Sequence, residues 1–191
     1  RTDALMEVRY IDNEYASTNP LDTAGSFDSE EWNYYLGMEW DATAKTSGSV
    51  RLGWFDRSYD SRARSDDDGF SWEVDVDYKP RTYSTFNFGT RRYSDETNGL
   101  GDAIDVEEYQ VSWDHDWSGR SRTEVSTLWG DDEYTGSVRE DERFELEAKY
   151  LYNVDRWFDI GGGYRYEDRD SDVRSLTYDR NVYFIEAELS L

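Results

Sequence analysis

The sequence predicts an all-β fold: an antiparallel up-and-down transmembrane β-barrel wall of about ten strands, with short periplasmic turns and long extracellular loops. Three observations carry that prediction. Ten stretches alternate apolar and polar residues, and the links between them alternate long and short. Aromatic residues also make up 17% of a chain in which hydrophobic residues reach only 36%. The run Phe70–Lys79 shows the alternation best, with every even position apolar and every odd one polar or charged. A strand points successive side chains to opposite faces, so such a run has one greasy face and one wet face.

Strand one covers about Asp3 to Asp12, with Ala4, Met6, Val8 and Tyr10 on one face and Leu5 and Ile11 interrupting the polar one. The link Asn13–Ser29 is long and polar and contains Pro20 and Gly25. Strand two alternates Trp32, Tyr34, Leu36, Met38 and Trp40 with Glu31, Asn33, Tyr35, Gly37 and Glu39. After the short link Asp41–Thr46, strand three sets Val50, Leu52 and Trp54 against Ser49, Arg51, Gly53 and Phe55. The link Ser58–Gly69 is long and charged. Strand four, Phe70–Lys79, ends at Pro80 in the turn Lys79-Pro80-Arg81, where no ladder hydrogen bond is lost.

Strand five places Phe86 and Phe88 opposite Thr85, Asn87 and Arg91, and the link Ser94–Ala103 is rich in Gly, Asp and Asn. Strand six sets Tyr109, Val111 and Trp113 against Glu108, Gln110 and Ser112, before a short turn, Trp117–Arg120. Strand seven sets Val125, Thr127 and Trp129 against Arg122, Glu124 and Ser126. Gly130–Asp141 reads as another long link. Strand eight sets Phe144, Leu146, Ala148 and Tyr150 against Glu145, Glu147 and Lys149, and the turn Asn153–Arg156 is tight. Strand nine carries Phe158, Ile160, Gly162, Tyr164 and Tyr166 opposite Asp159, Gly161, Gly163 and Arg165. Beyond the long link Asp168–Tyr178, strand ten carries Tyr183, Ile185, Ala187, Leu189 and Leu191 on one face. Strands of this kind need ~9–11 residues to cross a bilayer at a tilt.

Composition narrows the function classes. A mean hydropathy of -1.00 would suggest disorder in a soluble chain, but the aromatic content and only two prolines argue against it. A barrel needs apolar residues only at alternate positions. The net charge of -23 excludes nucleic acid as a partner, because phosphate binding needs a basic surface. No cysteine is present, so there is no disulfide framework and no thiolate metal site. No run of ~18 apolar residues exists to form a transmembrane helix. A soluble antiparallel sandwich shares the alternation, but its strands are shorter and its links lack the rhythm.

Several segments resemble a known family: Ser47–Asp60, Ser71–Thr97, Gly161–Asp172 and the ending from Tyr178. Together they resemble the putative β-barrel porin 2 family of Gram-negative outer membranes. The resemblance implies an outer-membrane barrel whose relatives often sit in exopolysaccharide or capsule export loci. It implies as partners outer-membrane lipid and lipopolysaccharide, polysaccharide export machinery, and the assembly machinery that inserts barrels. Relatives are usually larger, so residues 1–191 read as one barrel domain that is either unusually small or the carboxy-terminal part of a wider one.

The wet face supplies the candidate lumen. Glu39, Glu73, Asp75, Asp77, Glu108, Glu124, Glu145, Glu147, Glu186 and Glu188 project there, with Arg51, Arg91, Arg122, Lys149 and Arg165 among them. An open acidic lumen would favour cations; a lumen filled by cross-strand ion pairs would only hold the wall together. Trp32, Trp40, Trp54, Trp72, Tyr78, Tyr150 and Tyr164 are candidates for the lipid-interface girdles. Asp66-Asp67-Asp68 and Asp131-Asp132-Glu133 read as outer-loop charge runs whose spacing does not match a calcium loop. Arg57, Arg62 and Arg64 lie where lipopolysaccharide phosphates could meet them, with a plain surface role as the equal alternative. His115 is the single histidine, flanked by two aspartates, but it lacks a placed nucleophile. No enzyme, metal or cofactor is expected. The predicted role is a passive pore or conduit, with a non-conducting anchoring barrel as the alternative.

Overall fold

The computed structural model describes residues 1–15, 25–43, 45–97 and 101–189. Pro20 of the first link, residues 98–100 of the fifth and Leu191 of the last strand lie outside them. Ten strands follow one another: β1 (Thr2–Asn13), β2 (Ser29–Thr43), β3 (Thr46–Tyr59), β4 (Asp67–Arg81), β5 (Ser84–Glu96), β6 (Ala103–Ser118), β7 (Ser121–Thr135), β8 (Glu140–Asp155), β9 (Phe158–Ser171) and β10 (Tyr178–Leu189). They form one sheet in chain order, each strand antiparallel to its neighbour. Among the described residues nothing pairs with the far edge of β1 or of β10, so the sheet is open.

The short–long rhythm of the links holds. Links 44–45, 82–83, 119–120 and 156–157 are two residues each, and 14–28, 60–66, 97–102, 136–139 and 172–177 are longer. The strands, however, are 12 to 16 residues long and run past the stretches read as loops. The expected link Gly130–Asp141 shrinks to 136–139, because Asp131, Asp132 and Glu133 belong to β7 and pair with Glu142, Asp141 and Glu140. Likewise Asp67 and Asp68 belong to β4, opposite Arg57 and Asp56. A ladder needs only backbone pairing and room for its side chains, so above the lipid it can carry charge on both faces. Hydropathy alone reads such charged strand as loop.

The register keeps one face apolar around the sheet. Val76, Phe88, Val111, Thr127, Leu146 and Tyr166 stand opposite one another from β4 to β9. No second sheet covers this face: Leu36 is 65% exposed and Met6 78%. That rules out the sandwich and leaves lipid as the natural neighbour of the apolar side. No described helix is long and apolar enough to cross a membrane.

The polar face is the concave one. Arg9 on β1 bonds both carboxylate oxygens of Glu73 on β4, at 2.6 and 3.1 Å. In a flat sheet three strand steps would span ~14 Å, so the wall must curve to bring them together. Arg57 on β3 similarly donates to the Asp95 carbonyl on β5 at 3.0 Å.

A charge on the convex face of the membrane-crossing segment costs about 2–4 kcal/mol near the bilayer midplane. Val111→Arg should therefore lower the unfolding free energy by about that much. Gln110→Arg, one residue away on the concave face, should leave it nearly unchanged. Denaturant titration of the vesicle-inserted protein, followed by tryptophan fluorescence, compares the two.

Candidate functional site: the concave polar face

Cross-strand register puts all fifteen predicted lumen residues on one face. Arg51, Glu73, Arg91 and Glu108 form a row of alternating charge across β3 to β6. Arg51 bonds Glu39 at 2.7 Å, and Arg91 donates to Glu108 at 2.7 Å. Nearer the turns, Lys149 pairs with Glu124 at 2.6 Å, Arg122 with Asp114 at 3.0 Å, and Arg165 donates to Glu147 at 2.6 Å. By contrast, Asp75, Asp77, Glu145, Glu186 and Glu188 make no ion pair among the described residues. Asn87 bridges Asp75 and Asp77 through its amide nitrogen.

The row from Glu108 continues through Gly130 to Arg143. A Cβ at Gly130 would lie 2.9 Å from Nη2 of Arg143, because the guanidinium passes over this glycine. It reaches Glu108 on β6 at 3.0 Å and Asp132 at 2.8 Å. The missing side chain on β7 is thus what lets an arginine on β8 bridge to β6. Gly163 serves a similar end, since a Cβ there would strike the Phe184 ring at 2.5 Å. That is the close packing expected of the glycine run Gly161–Gly163.

At the long-link end the concave face is filled. Glu31 and Arg57 are 3% and 4% exposed, with Arg57 Nε donating to Glu31 at 2.7 Å. Arg64 is buried and donates to Asp102 at 2.9 Å. These two arginines are therefore buried and not at the surface, where both sequence readings put them; they hold strands and links together from inside. Asp141, at 0% exposure, is a second hub. It accepts from Arg139 at 3.0 Å and Arg169 at 3.1 Å, and from the Ser171 hydroxyl. Burial pushes its pKa up, but those three donors outweigh it and hold the carboxyl well below the ordinary range.

Open spaces remain on this face, among them two with charged linings. One of about 450 Å³ is lined by Arg51, Glu73, Asp75, Gly89, Arg91 and Gln110. The other, about 640 Å³, lies at the turn end among Arg122, Glu124, Lys149, Asp159, Glu186 and Glu188. Neither holds a nucleophile–base pair, and the described residues include no cluster of His, Asp or Glu able to hold a metal ion.

The convex face carries the aromatic candidates. Trp32, Trp54, Tyr78 and Tyr150 are exposed, while Trp40, Trp72 and Tyr164 are half-buried among neighbours. Trp32 lies against Tyr10 at 4.7 Å, and Trp72 donates to Thr90 at 3.0 Å. Tyr164 sits mid-strand, not at an end, with its ring against Tyr183 at 5.1 Å. His115 is also on this face, within 4.3 to 5.5 Å of the Trp117, Trp113 and Tyr83 rings. Its flanking aspartates alternate onto the opposite face, where Asp114 bonds Arg122, so they do not form a charge pair around the imidazole.

Above the aromatic residues the convex face turns acidic. Glu107, Asp131, Glu142 and Asp170 stand opposite one another on β6 to β9 with no cation between them. Burial raises the pKa of Asp131, and Glu142, Glu140 and Glu107 add to it. The lumen residues named from sequence do not include Glu7, Arg9, Glu31, Arg57, Asp141 or Arg143. Arg143 shares odd parity with Glu145 and Glu147, a signal hidden because Gly130–Asp141 read as loop.

Comparison with known proteins agrees with this architecture. A family model described as Putative beta-barrel porin 2 matches residues 6–191. Among solved structures, a loop-L8 deletion mutant of OmpT, an outer membrane protein of Vibrio cholerae, superposes with a TM-score of 0.55 at 14% identity. That match covers 97% of this chain. In-vitro folded OmpT superposes with a TM-score of 0.55 at 13% identity over 95% of this chain. The chain spans 62% and 63% of those two proteins. No curated protein matches it.

Two outcomes are expected. Gly130→Val should displace the Arg143 guanidinium and lower stability by about 1.5–3 kcal/mol, the usual worth of a hydrogen bond to a charged group. Gly119→Val, where nothing lies within 4 Å of the added Cβ, should be near neutral in the same denaturant titration. Asp131 has a raised folded pKa, so its contribution to stability is full below the unfolded value and lost as pH rises through the folded one. Asp131→Asn should therefore raise the thermal midpoint at pH ~7, and the gain should vanish below the carboxylate range.

Proposed function

The chain belongs to the Putative beta-barrel porin 2 family and is an outer-membrane barrel wall, and on that premise we propose that it is one sector of a passive, cation-preferring pore. The observation that carries this reading is the concave face. It is largely polar around the sheet, and its Asp75, Asp77, Glu145, Glu186 and Glu188 form no ion pair among the described residues. Acidic groups lining a wet passage concentrate cations and repel anions.

The size of the wall bears on this proposal. A barrel of ~8 strands is filled by its own side chains, whereas ~16–18 strands leave a channel. The free edges of β1 and β10 suit a wall completed by further strands. In this reading small cationic or neutral solutes pass. Export of an anionic polysaccharide fits less well, because the arginines of the face are engaged by carboxylates and the uncommitted groups are acids. No catalytic step belongs to the proposal, since His115 is set among aromatic rings on the lipid side.

Single-channel recording across a planar bilayer with a potassium chloride gradient tests it. Stepwise conductance with a reversal potential of cation-selective sign is expected. The D75N/D77N/E186Q/E188Q variant should move that potential toward zero without abolishing the steps. A complete wall that inserts but stays silent would overturn the pore reading. It would favour a non-conducting anchoring wall, for which the buried Asp141 cluster is the natural plug.

A further inference from the structure

The lysines and arginines of this acidic chain fall into those that meet a carboxylate and those that, like Arg62 and Arg174 of the long links, form no ion pair among the described residues. Most engage a carboxylate: Arg9, Arg51, Arg57, Arg64, Arg91, Arg92, Arg122, Arg139, Arg143, Lys149, Arg165, Arg169 and Arg180 all do so along the wall or under its long links. The cations of the short turns do not. Lys45, Lys79, Arg81, Arg120 and Arg156 are exposed and form no ion pair among the described residues. Three of the short links hold one of them, and Lys79 and Arg81 end β4 beside the fourth. In a chain with a net charge of -23, these exposed cations at the short-turn ends of the hairpins are open to an anionic partner from outside the chain.

Each of these cations has an exposed or half-buried aromatic residue close by in sequence. Trp40 precedes Lys45, and Tyr78 and Tyr83 bracket Lys79 and Arg81. Trp117 precedes Arg120, and Trp157 follows Arg156. Trp117, Trp157 and Tyr83 are 60%, 54% and 49% exposed at the end of the apolar face. Amphipathic rings settle at the headgroup level of a bilayer, which places the neighbouring cations among the headgroups. Of the acids near this rim, some turn to the concave side and one stays beside a turn cation. Asp41 and Asp116 alternate onto the concave face, and the Asp155 carboxylate accepts the Arg156 backbone N–H at 2.7 Å. The opposite rim carries the convex acidic row of Glu107, Asp131, Glu142 and Asp170.

We infer that the short-turn rim is a binding surface for anionic phospholipid headgroups, with Lys45, Lys79, Arg81, Arg120 and Arg156 holding the phosphates of the periplasmic leaflet. Short turns of outer-membrane barrels face the periplasm, where that leaflet is phospholipid. Basic groups beside a membrane attract anionic lipid, and this attraction is screened by salt. The inference rests on the outer-membrane placement and not on conduction, so a silent barrel would leave it standing.

The test is lipid co-purification. The folded protein is equilibrated in mixed micelles of detergent with equal phosphatidylglycerol and phosphatidylcholine, and the retained lipids are quantified by mass spectrometry. Wild type should enrich phosphatidylglycerol several-fold, by up to about fivefold per engaged cation. The K45Q/K79Q/R81Q/R120Q/R156Q variant should retain the two lipids equally, and the R62Q/R174Q variant, neutralised only in the outer links, should behave as wild type. If the fivefold variant does not fold, K79Q/R81Q alone should reduce the enrichment, and raised salt should abolish it in wild type. Equal retention by wild type, salt-independent enrichment, enrichment that survives neutralisation of the turn cations, or its loss in the outer-link variant would each overturn the inference.

Discussion

A backbone that crosses lipid must satisfy every N–H and C=O within the protein, because no water is there to do it. The ten-stranded ladder is the answer to that constraint, and the rest of the structure depends on it. Once each strand is locked to its neighbours in one register, side-chain parity is locked too. A slip of one residue would turn every apolar residue of that strand inward and every charged one toward lipid. The ladder therefore sets which charges meet, and the curvature of the wall sets how far across it they can reach.

That reach explains why arginine dominates the concave face. Its long, planar, five-donor side chain can span more than one strand and bond two carboxylates together. Arg143 does so across Gly130, joining Glu108 and Asp132. Arg9 and Arg51 do so across β1 to β4, joining Glu7, Glu39 and Glu73. Such pairs tie strands that are not neighbours in the sheet, which a backbone ladder cannot do. Their density is highest beneath the long links, so the outer end of the wall is filled and the turn end is more open. Two of the spaces on the concave face lie below the filled zone.

The charge layout along the strand direction is lopsided. Convex carboxylates collect above the apolar band, and unpaired cations collect at the turns below it. The raised pKa of Asp131 reflects the crowding above, where burial and neighbouring carboxylates oppose ionisation. An acidic rim and a basic rim give a barrel a preferred way to sit between two chemically different leaflets. The apolar band sets the depth of the protein in the membrane, and the rims distinguish its two sides.

Much of this was legible in the sequence by itself. Parity identifies the two faces of each strand, as in Phe70–Lys79, because side-chain direction in a strand is a local property. Link rhythm gives the hairpin order for the same reason. The family resemblance also rested on local patterns, since strand and turn signatures such as Ser47–Asp60 are read residue by residue. Strand ends above the lipid were not legible: Asp131-Asp132-Glu133 is as polar as any loop, and only pairing with β8 makes it strand. Nor was it legible that Arg57 and Arg64 point inward to Glu31 and Asp102, or that the aspartates beside His115 turn away from it. Those facts depend on how far the sheet bends and on which strands the bend brings together. Alternation within a strand is fixed by its own backbone, whereas contacts across several strands exist only once the wall has curved.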